Sequence, residues 1–161
     1  MAFDGFIKID GIKGETGDHK HKEEIEVFSY SWGCKQSGSS SSGSGAGAGK
    51  VQVDDFSFVK RYDKASPILF MKCCTGEHIK EANFTVRKAG GEQIEFIKIK
   101  FTDVVITSIQ TGGSGSDEIP METIAFTFTQ CYVDYQEQGA DGKAKGGPVH
   151  GGWDMKSNKT V

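Results

Sequence analysis

A glycine-rich run that ends in lysine is the first candidate for chemistry in this sequence, because such loops bind phosphate groups. Residues 45–50 read Gly-Ala-Gly-Ala-Gly-Lys. A phosphate-binding loop of this kind requires a further glycine at position 44 and a serine or threonine at position 51, whose hydroxyl holds magnesium. Ser44 and Val51 occupy these positions, and a strand-like pattern follows where a helix is required. The sequence therefore predicts no nucleotide site.

The four histidines do not form a recognisable metal site. His19 and His21 make a His-x-His pair between lysines, but a zinc site needs three or four protein ligands. We therefore expect a solvated charge cluster or adventitious metal contact there. His78 and His150 are isolated in the sequence and are expected at the surface. No metal and no cofactor are predicted.

Nucleophilic catalysis is not indicated either. The four cysteines are Cys34, Cys73, Cys74 and Cys131. Their neighbours are apolar, whereas a reactive thiolate needs an electropositive setting, so buried free thiols are predicted. No Gly-x-Ser-x-Gly motif is present, and adjacent carboxylates such as Asp54 and Asp55 would point to opposite faces of a strand. The sequence favours a structural or binding protein over an enzyme.

Length and charge restrict the remaining classes of protein. The chain has 161 residues and a formal net charge of −3, so one domain over residues 1–161 is expected. The charge argues against nucleic-acid binding, which normally shows a basic patch. No apolar run approaches the ~20 residues of a membrane span, and the first ten residues lack the features of a Sec signal.

The elements that position these residues are predicted to be strands that change face. The predicted strands cover residues 3–12, 24–34, 51–60, 83–88, 94–101, 104–109 and 123–136. In the last of these, Ile124 and Phe126 are apolar at even positions, whereas Cys131 and Val133 are apolar at odd ones; the segments 24–34, 51–58 and 94–101 change in the same way. Such a change means a bulge, a bend or a second buried face. We therefore predict a mainly β protein: a small antiparallel β-barrel or orthogonal two-sheet sandwich, with one flanking α-helix.

The predicted helix is apolar nearly all round. Ser66 is expected as its N-cap with Pro67 at the first helical position, and Gly76 is expected to end it. Between them Lys72 is the one clearly polar side chain. Such a helix requires partners on more than one side, and the chain's own sheet covers one side only.

Three segments are predicted to be loops or partly ordered. Residues 37–49 are all Ser, Gly or Ala, which predicts a flexible segment: either a slack surface loop or a loop that orders against a neighbouring molecule. Residues 112–116 form a second glycine-rich loop. Residues 137–161 are expected to be partly flexible, with Trp153 favouring an edge strand.

The ordered set of short segments resembles a known family. The segments are Phe6–Glu15, Phe28–Gly33, Phe56–Phe58, Asp63–Pro67, Val86–Gly91, Thr111–Gly115 and Val133–Gln136. In this order and spacing they resemble the Hcp family, the haemolysin-coregulated tube proteins of bacterial type VI secretion, over nearly the whole chain. The resemblance implies a hexameric ring that stacks into the inner tube of a contractile machine, inside a sheath and beneath a spike. It also implies that the channel carries small effector proteins, and that the tube, assembled in the cytoplasm, leaves without a Sec signal.

Under this resemblance, three groups of residues become candidate sites. The subunit-interface candidates on the helix are Ile68, Leu69, Phe70 and Met71, which would fill a groove between subunits or line a seam on the channel side. The channel-lining and cargo candidates are Ser29 and Ser31. The ring-contact candidates are Ser37, Gly43, Gly49, Gly113 and Gly115.

A monomeric β-sandwich that binds glycans is the alternative function. It would use exposed aromatic side chains as a platform, with Trp32, Tyr132 and Trp153 as candidates.

Overall fold

The chain folds into two antiparallel sheets and one helix. A computed structural model describes residues 3–36, 50–89 and 91–161. The strands are β1 Phe3–Ile9, β2 Ile25–Val27, β3 Ser29–Ser31, β4 Cys34–Lys35, β5 Gln52–Val53, β6 Phe56–Arg61, β7 Ile79–Lys88, β8 Glu95–Gly112, β9 Met121–Thr127, β10 Gln130–Tyr135, β11 Val149–Asp154 and β12 Lys159–Thr160. The helix α1 covers Ser66–Thr75.

Two sheets share the long strand β8. The first sheet has the order β12-β11-β10-β8-β7-β1-β2 and uses the N-terminal half of β8. The second sheet has the order β8-β9-β6-β3 and uses its C-terminal half. The short strands β4 and β5 pair separately. Because β2 pairs with β1 and β3 pairs with β6, no ladder in the described residues closes a barrel, and the fold is sandwich-like.

The predicted changes of face coincide with strands that change sheet. The segment 24–34 contributes β2 to the first sheet and β3 to the second, with a break at Phe28. The segment 123–136 contributes β9 to the second sheet and β10 to the first. Strand β8 passes from the first sheet to the second beside Asp103, whose φ is 55°. The predicted change of face near Phe96 lies opposite a β-bulge at Val86 and Arg87. The prediction of strands that turn corners is confirmed. Residues 94–101 and 104–109, predicted as two strands or as one strand broken near residues 102 and 103, belong to the single strand β8, which changes sheet beside Asp103.

Phenylalanine rings from both sheets fill the core. Phe56 lies 5.0 Å from Phe84, 5.0 Å from Phe101 and 5.4 Å from Phe126, measured between ring centroids. These rings come from four strands of the two sheets, so one aromatic cluster joins the sheets. Trp32 packs edge-on against this cluster, 5.3 Å from Phe101.

The helix begins differently from the prediction. Its cap residue is Ala65, which has no side chain for capping, and Ser66 lies inside the first turn. The Ser66 hydroxyl instead accepts hydrogen bonds from Lys60 Nζ at 2.8 Å and from the Asp63 amide at 2.9 Å. The end of the helix is as predicted: Gly76 has φ 67°, and its N–H donates to the Lys72 carbonyl.

The strand predicted around Trp153 is present next to the edge of the first sheet, and the short strand β12 forms the edge itself. β11 pairs with β10 so that Trp153 lies opposite Cys131, and β12 extends the sheet by one strand. Trp153 is half-buried against the core cluster. Within the described residues, no helix has both the length and the hydropathy of a membrane span.

Candidate assembly and channel surfaces

A buried ion cluster fixes the start of α1 to the second sheet. Lys60 has no exposed surface. Its Nζ lies 2.8 Å from Asp63 Oδ1 and 3.2 Å from Glu122 Oε1, and it donates to Ser66. Because β6 and β9 are neighbours in the sheet, the cluster joins two strands to the turn that precedes the helix. The position of α1 on the molecule is therefore set by charge as well as by packing.

Only one side of α1 is covered. Leu69 is fully buried and Ile68 is half-buried against the core, whereas Phe70 is 61% exposed and Met71 is 56% exposed. The sequence-based expectation that the helix keeps apolar side chains away from its own sheet is met at these two residues. Leu69 has no surface with which to contact another chain, so its predicted role at a subunit interface does not fit its position.

The exposed side of α1 continues into an apolar band. A hollow of about 400 Å³ between α1 and β8 is lined by Phe70, Met71 and Tyr62, and a second hollow of about 210 Å³ is lined by Tyr62, Phe28 and Ile119. Tyr62 belongs to both hollows, and these five residues are here called the apolar band. All five are more than one-third exposed. The second hollow is also lined by the charged side chains of Glu15, Glu26, Arg61 and Asp63. Clustered exposed apolar side chains mark an interaction site more often than isolated apolar residues do.

The outward face of the second sheet carries mostly small uncharged side chains. Phe58, Ile124 and Ile106 point into the core, so the alternate positions of the same strands point outward. Those outward positions are Ser29, Ser31, Ser57, Val59, Arg61, Val105, Ser108, Gln110, Gly112, Met121, Thr123, Ala125 and Thr127. We call this the small-residue face. Among these thirteen positions, Arg61 at the end of β6 is the one charged side chain.

The outward face of the first sheet is charged, in contrast. Lys100 pairs with Glu81 at 3.3 Å, and His150 Nδ1 lies 2.5 Å from Asp134 Oδ1. Acidic and basic side chains cover this face, as is usual for a sheet exposed to water. The two faces of the molecule are therefore chemically distinct.

The predicted channel residues lie on the small-residue face. Ser29 and Ser31 are exposed on β3, which is an edge strand of the second sheet. Tyr30 between them points inward and packs against Phe84 at 4.7 Å. The orientation that the sequence pattern required for these serines is therefore present.

Of the two glycine-rich segments that hold the ring-contact candidates, the structure describes one. Gly113 and Gly115 lie in an exposed turn between β8 and β9, where Asp117 accepts a hydrogen bond from the Ser114 hydroxyl at 3.0 Å. Ser37, Gly43 and Gly49 lie outside the described residues.

Two predictions about titratable residues are wrong. His21 was expected in a solvated cluster but is 5% exposed, between two carboxylates. Buried thiols were expected, but Cys34 and Cys74 are exposed, Cys73 is half-buried and only Cys131 is buried. Burial raises the pKa of the Cys131 thiol. His78 and His150 are at the surface, as predicted.

The aromatic candidates of the glycan-binding alternative are half-buried and do not share one surface. Trp32 packs against the core cluster and lines a hollow of about 400 Å³ together with Trp153. Tyr132 lies apart from them, on the outward face of the first sheet. The residues that are in fact exposed, such as Tyr62 and Ile119, were not singled out from the sequence. Ile119 precedes a proline in a loop and Tyr62 follows a strand, so neither lies in a periodic pattern that reveals its surface.

The fold and these surfaces define a class of protein: an antiparallel β-sandwich with two chemically distinct sheet faces and an exposed apolar side on its helix. In the part of the chain that the structure describes, no three His, Cys, Asp or Glu side chains converge as ligands for a metal ion.

Comparison with known proteins identifies the family. The family model described as type VI secretion system effector, Hcp, matches residues 6–135. Protein hcp1 of Pseudomonas aeruginosa is 50% identical over 159 residues, which cover 98% of each chain. The crystal structure of Hcp1 from Salmonella typhimurium is 38% identical over the full length of both chains, with a TM-score of 0.84. A solved type six secretion system protein gives a TM-score of 0.93 at 33% identity, covering 99% of this chain and 100% of that one. The chain belongs to the Hcp family of type VI secretion proteins.

Proposed function

We propose that this chain is the tube subunit of a type VI secretion machine. Six copies close into a ring, rings stack into the inner tube, and the tube meets the sheath and the spike. It is assembled in the cytoplasm and ejected without a Sec signal, with small effector proteins held in its channel. The observation that carries the proposal is the apolar band, because the folded chain leaves Phe70, Met71 and the neighbouring Tyr62 exposed on one side of α1.

The subunit contact is assigned to the exposed side of α1. Phe70 and Met71 are large and apolar, and they lie on a helix that Lys60 fixes in place. Little conformational freedom is therefore lost when another copy covers them. The half-buried Ile68 extends the same contact. A head-to-tail ring also covers sheet edges, which are otherwise sites of uncontrolled pairing. Among the described residues, β3 pairs with β6 alone and thus has one unpaired edge.

The channel wall is assigned to the small-residue face. Side chains such as Ser31 and Thr127 offer hydroxyl groups without charge and without large apolar area, and this combination binds varied protein surfaces weakly. Weak contact suits cargo that must be retained and then released. The ring-to-ring contact is assigned to the turn that holds Gly113 and Gly115, and to Ser37, Gly43 and Gly49.

Light scattering on size-separated protein tests ring formation. The wild-type chain is expected at several times its 17.4 kDa mass, with annular particles in negative-stain images. Met71→Glu places a charge in the contact, and desolvation of that charge in an apolar interface costs several kcal/mol. The variant is therefore expected as a monomer with an unchanged circular dichroism spectrum.

Val149→Glu is the matched control for that experiment. Val149 is 67% exposed and lies outside the apolar band, so this variant is expected to form rings. A wild-type chain that stays monomeric at every concentration contradicts the proposal, and so does a Met71→Glu variant that assembles as readily as wild type.

Cargo retention tests the channel assignment separately. Ser31→Arg adds a bulky charge to the small-residue face and is expected to lower the amount of effector protein that co-purifies, while rings still form. Asn83→Arg, on the outward face of the first sheet, is the control and is expected to retain cargo. Equal retention by both variants would remove Ser31 from the channel wall.

A further inference from the structure

The segment 11–24 folds back on itself and lies on the outward face of the first sheet. The Gly14 amide donates to the Glu23 carbonyl at 2.8 Å, and the Glu23 amide donates to the Thr16 carbonyl at 2.9 Å. Gly14 is required there, because a Cβ at this position would lie 2.3 Å from the Glu24 carbonyl oxygen. The segment is therefore an ordered loop with a defined seat on the sheet, here called the folded loop.

His21 forms the buried end of the folded loop. Its ring stacks on Phe6 of β1, with 4.4 Å between the centroids and 5° between the planes. Its Nδ1 lies 2.8 Å from Glu24 Oε2 in the loop, and its Nε2 lies 2.7 Å from Glu95 Oε1 on β8. An ionised carboxylate only accepts hydrogen bonds, and a neutral imidazole has one donor. With both carboxylates ionised, both bonds exist together only when both ring nitrogens carry a proton.

We propose that His21 is a proton-operated latch that holds the folded loop on the first sheet. When the ring loses a proton, one nitrogen lone pair faces a carboxylate oxygen at hydrogen-bond distance. His21 is almost out of contact with water, so solvent cannot relieve that repulsion. The contact with Glu95, which joins the loop to β8, then opens, and residues 19–24 separate from β8.

Other charged groups near His21 set the range over which the latch works. Lys98 on β8 pairs with Glu95 at 3.3 Å. Burial acts to raise the pKa of Glu95, but the hydrogen bonds from His21 and Lys98 outweigh it and lower that pKa below its usual value. The Glu95 carboxylate therefore stays ionised into acidic solution, and the latch holds from there up to the loss of the histidine proton.

A second tie keeps the release local. Arg87 on β7 pairs with Asp18 of the loop and with Asp4 of β1, and its guanidinium lies 4.8 Å from the centre of the Phe6 ring. Arginine keeps its charge at every relevant pH. The Asp18 end of the loop therefore stays in place when the contact between His21 and Glu95 opens.

Opening the latch changes a surface hollow. Lys20 of the loop lines a hollow of about 490 Å³ together with Glu95, Lys98 and Tyr135. Movement of residues 19–24 removes Lys20 from that wall and separates Glu95 from its histidine. The shape and the charge of this part of the surface therefore depend on pH.

Amide hydrogen exchange tests the latch in the intact chain. Protection of the Glu23 and Glu24 amides, corrected for intrinsic exchange, is expected to fall about tenfold or more between about pH 6 and about pH 9, which bracket histidine titration. His21→Gln is expected to show the low protection at both pH values. His19→Gln alters an exposed histidine of the same loop and is expected to retain the wild-type fall.

Two results would overturn the proposal: equal wild-type loop protection at both pH values, or a fall of the same size in His21→Gln. Exchange of β7 amides serves as the reference for global unfolding. Nitrogen NMR of the wild-type ring gives a second measurement that needs no variant. Two ring N–H groups are expected on His21 near pH 6, and a single one at that pH also overturns the proposal. The same measurements on Met71→Glu separate the latch from ring formation.

Discussion

Lys60 shows how a single charged residue is retained in the interior of this protein. Its ammonium group meets two carboxylates and a hydroxyl, so every donor has an acceptor. The free energy lost by desolvating such a cluster nearly cancels the stabilisation from its ion pairs. The main effect of the cluster is therefore to fix the arrangement of the residues around it. Here that arrangement is the turn into α1, which carries Phe70 and Met71.

Lys60→Met is expected to lower the free energy of unfolding by about 3–5 kcal/mol, because Asp63 and Glu122 are left without their buried cation. Urea unfolding followed by fluorescence measures this loss. Lys64→Met changes an exposed lysine in the same turn and is expected within about 0.5 kcal/mol of wild type. Equal stability of the two variants would show that the cluster does not hold the turn.

At the scale of elements, α1 has a buried side and an exposed side. Leu69 and Ala65 pack into the chain's own core, whereas Phe70, one residue further on, is mostly exposed. Adjacent helix positions point about 100° apart, so two neighbouring residues lie in different environments. The contribution of Leu69 to folding and the proposed contribution of Phe70 to assembly are therefore measurable independently.

Leu69→Ala is expected to cost about 2–5 kcal/mol of unfolding free energy through lost burial and the cavity that it leaves. Phe70→Ala is expected to change the unfolding of the isolated chain little and to weaken ring formation. Chemical denaturation at low protein concentration measures the first effect, and light scattering measures the second. The helix assignment fails if Phe70→Ala destabilises the isolated chain as much as Leu69→Ala does.

At the scale of the whole molecule, ion pairs on the first sheet make the free energy of unfolding depend on pH. The hydrogen bonds from Arg87 hold the pKa of the Asp18 carboxyl well below its usual range, and the pKa of Glu95 is also lowered. A carboxyl whose pKa is lowered on folding stabilises the native state above its ordinary pKa, and that contribution is lost as the pH falls through the lowered value. Stability is therefore expected to decline steadily on the acidic side of about pH 5.

Asp18→Asn is expected to cost about 1–3 kcal/mol at neutral pH, because Arg87 loses a charged acceptor. The difference from wild type is expected to narrow as the pH falls, since the wild-type carboxyl then also loses its charge. Urea unfolding across an acidic pH series measures both trends. Asp10→Asn, at an exposed position, is the control and should follow the wild-type curve. A difference for Asp18→Asn that stays constant with pH contradicts the assignment.

Local pattern was enough to predict the buried and outward faces of the strands in the second sheet and the corners where strands change sheet. The alternation of Phe56 and Phe58 with Ser57 defines a core face and an outer face, and the changes of parity mark where strands leave one sheet for the other. The helix from Ser66 to Gly76 follows equally from its proline and glycine. The N-cap of the helix did not follow from the sequence, because the Ser66 hydroxyl accepts a hydrogen bond from Lys60, a residue of another element.

The sequence by itself determined the mainly β fold, the place of the helix and the outward direction of Ser29 and Ser31, because these depend on side-chain periodicity along single elements. The tertiary structure alone decided the apolar band, the burial of Lys60 and the setting of His21. Each of these brings together residues far apart in the chain, such as His21 and Glu95. Contacts of that kind depend on how strands are ordered and paired across the sheets, which local alternation does not specify.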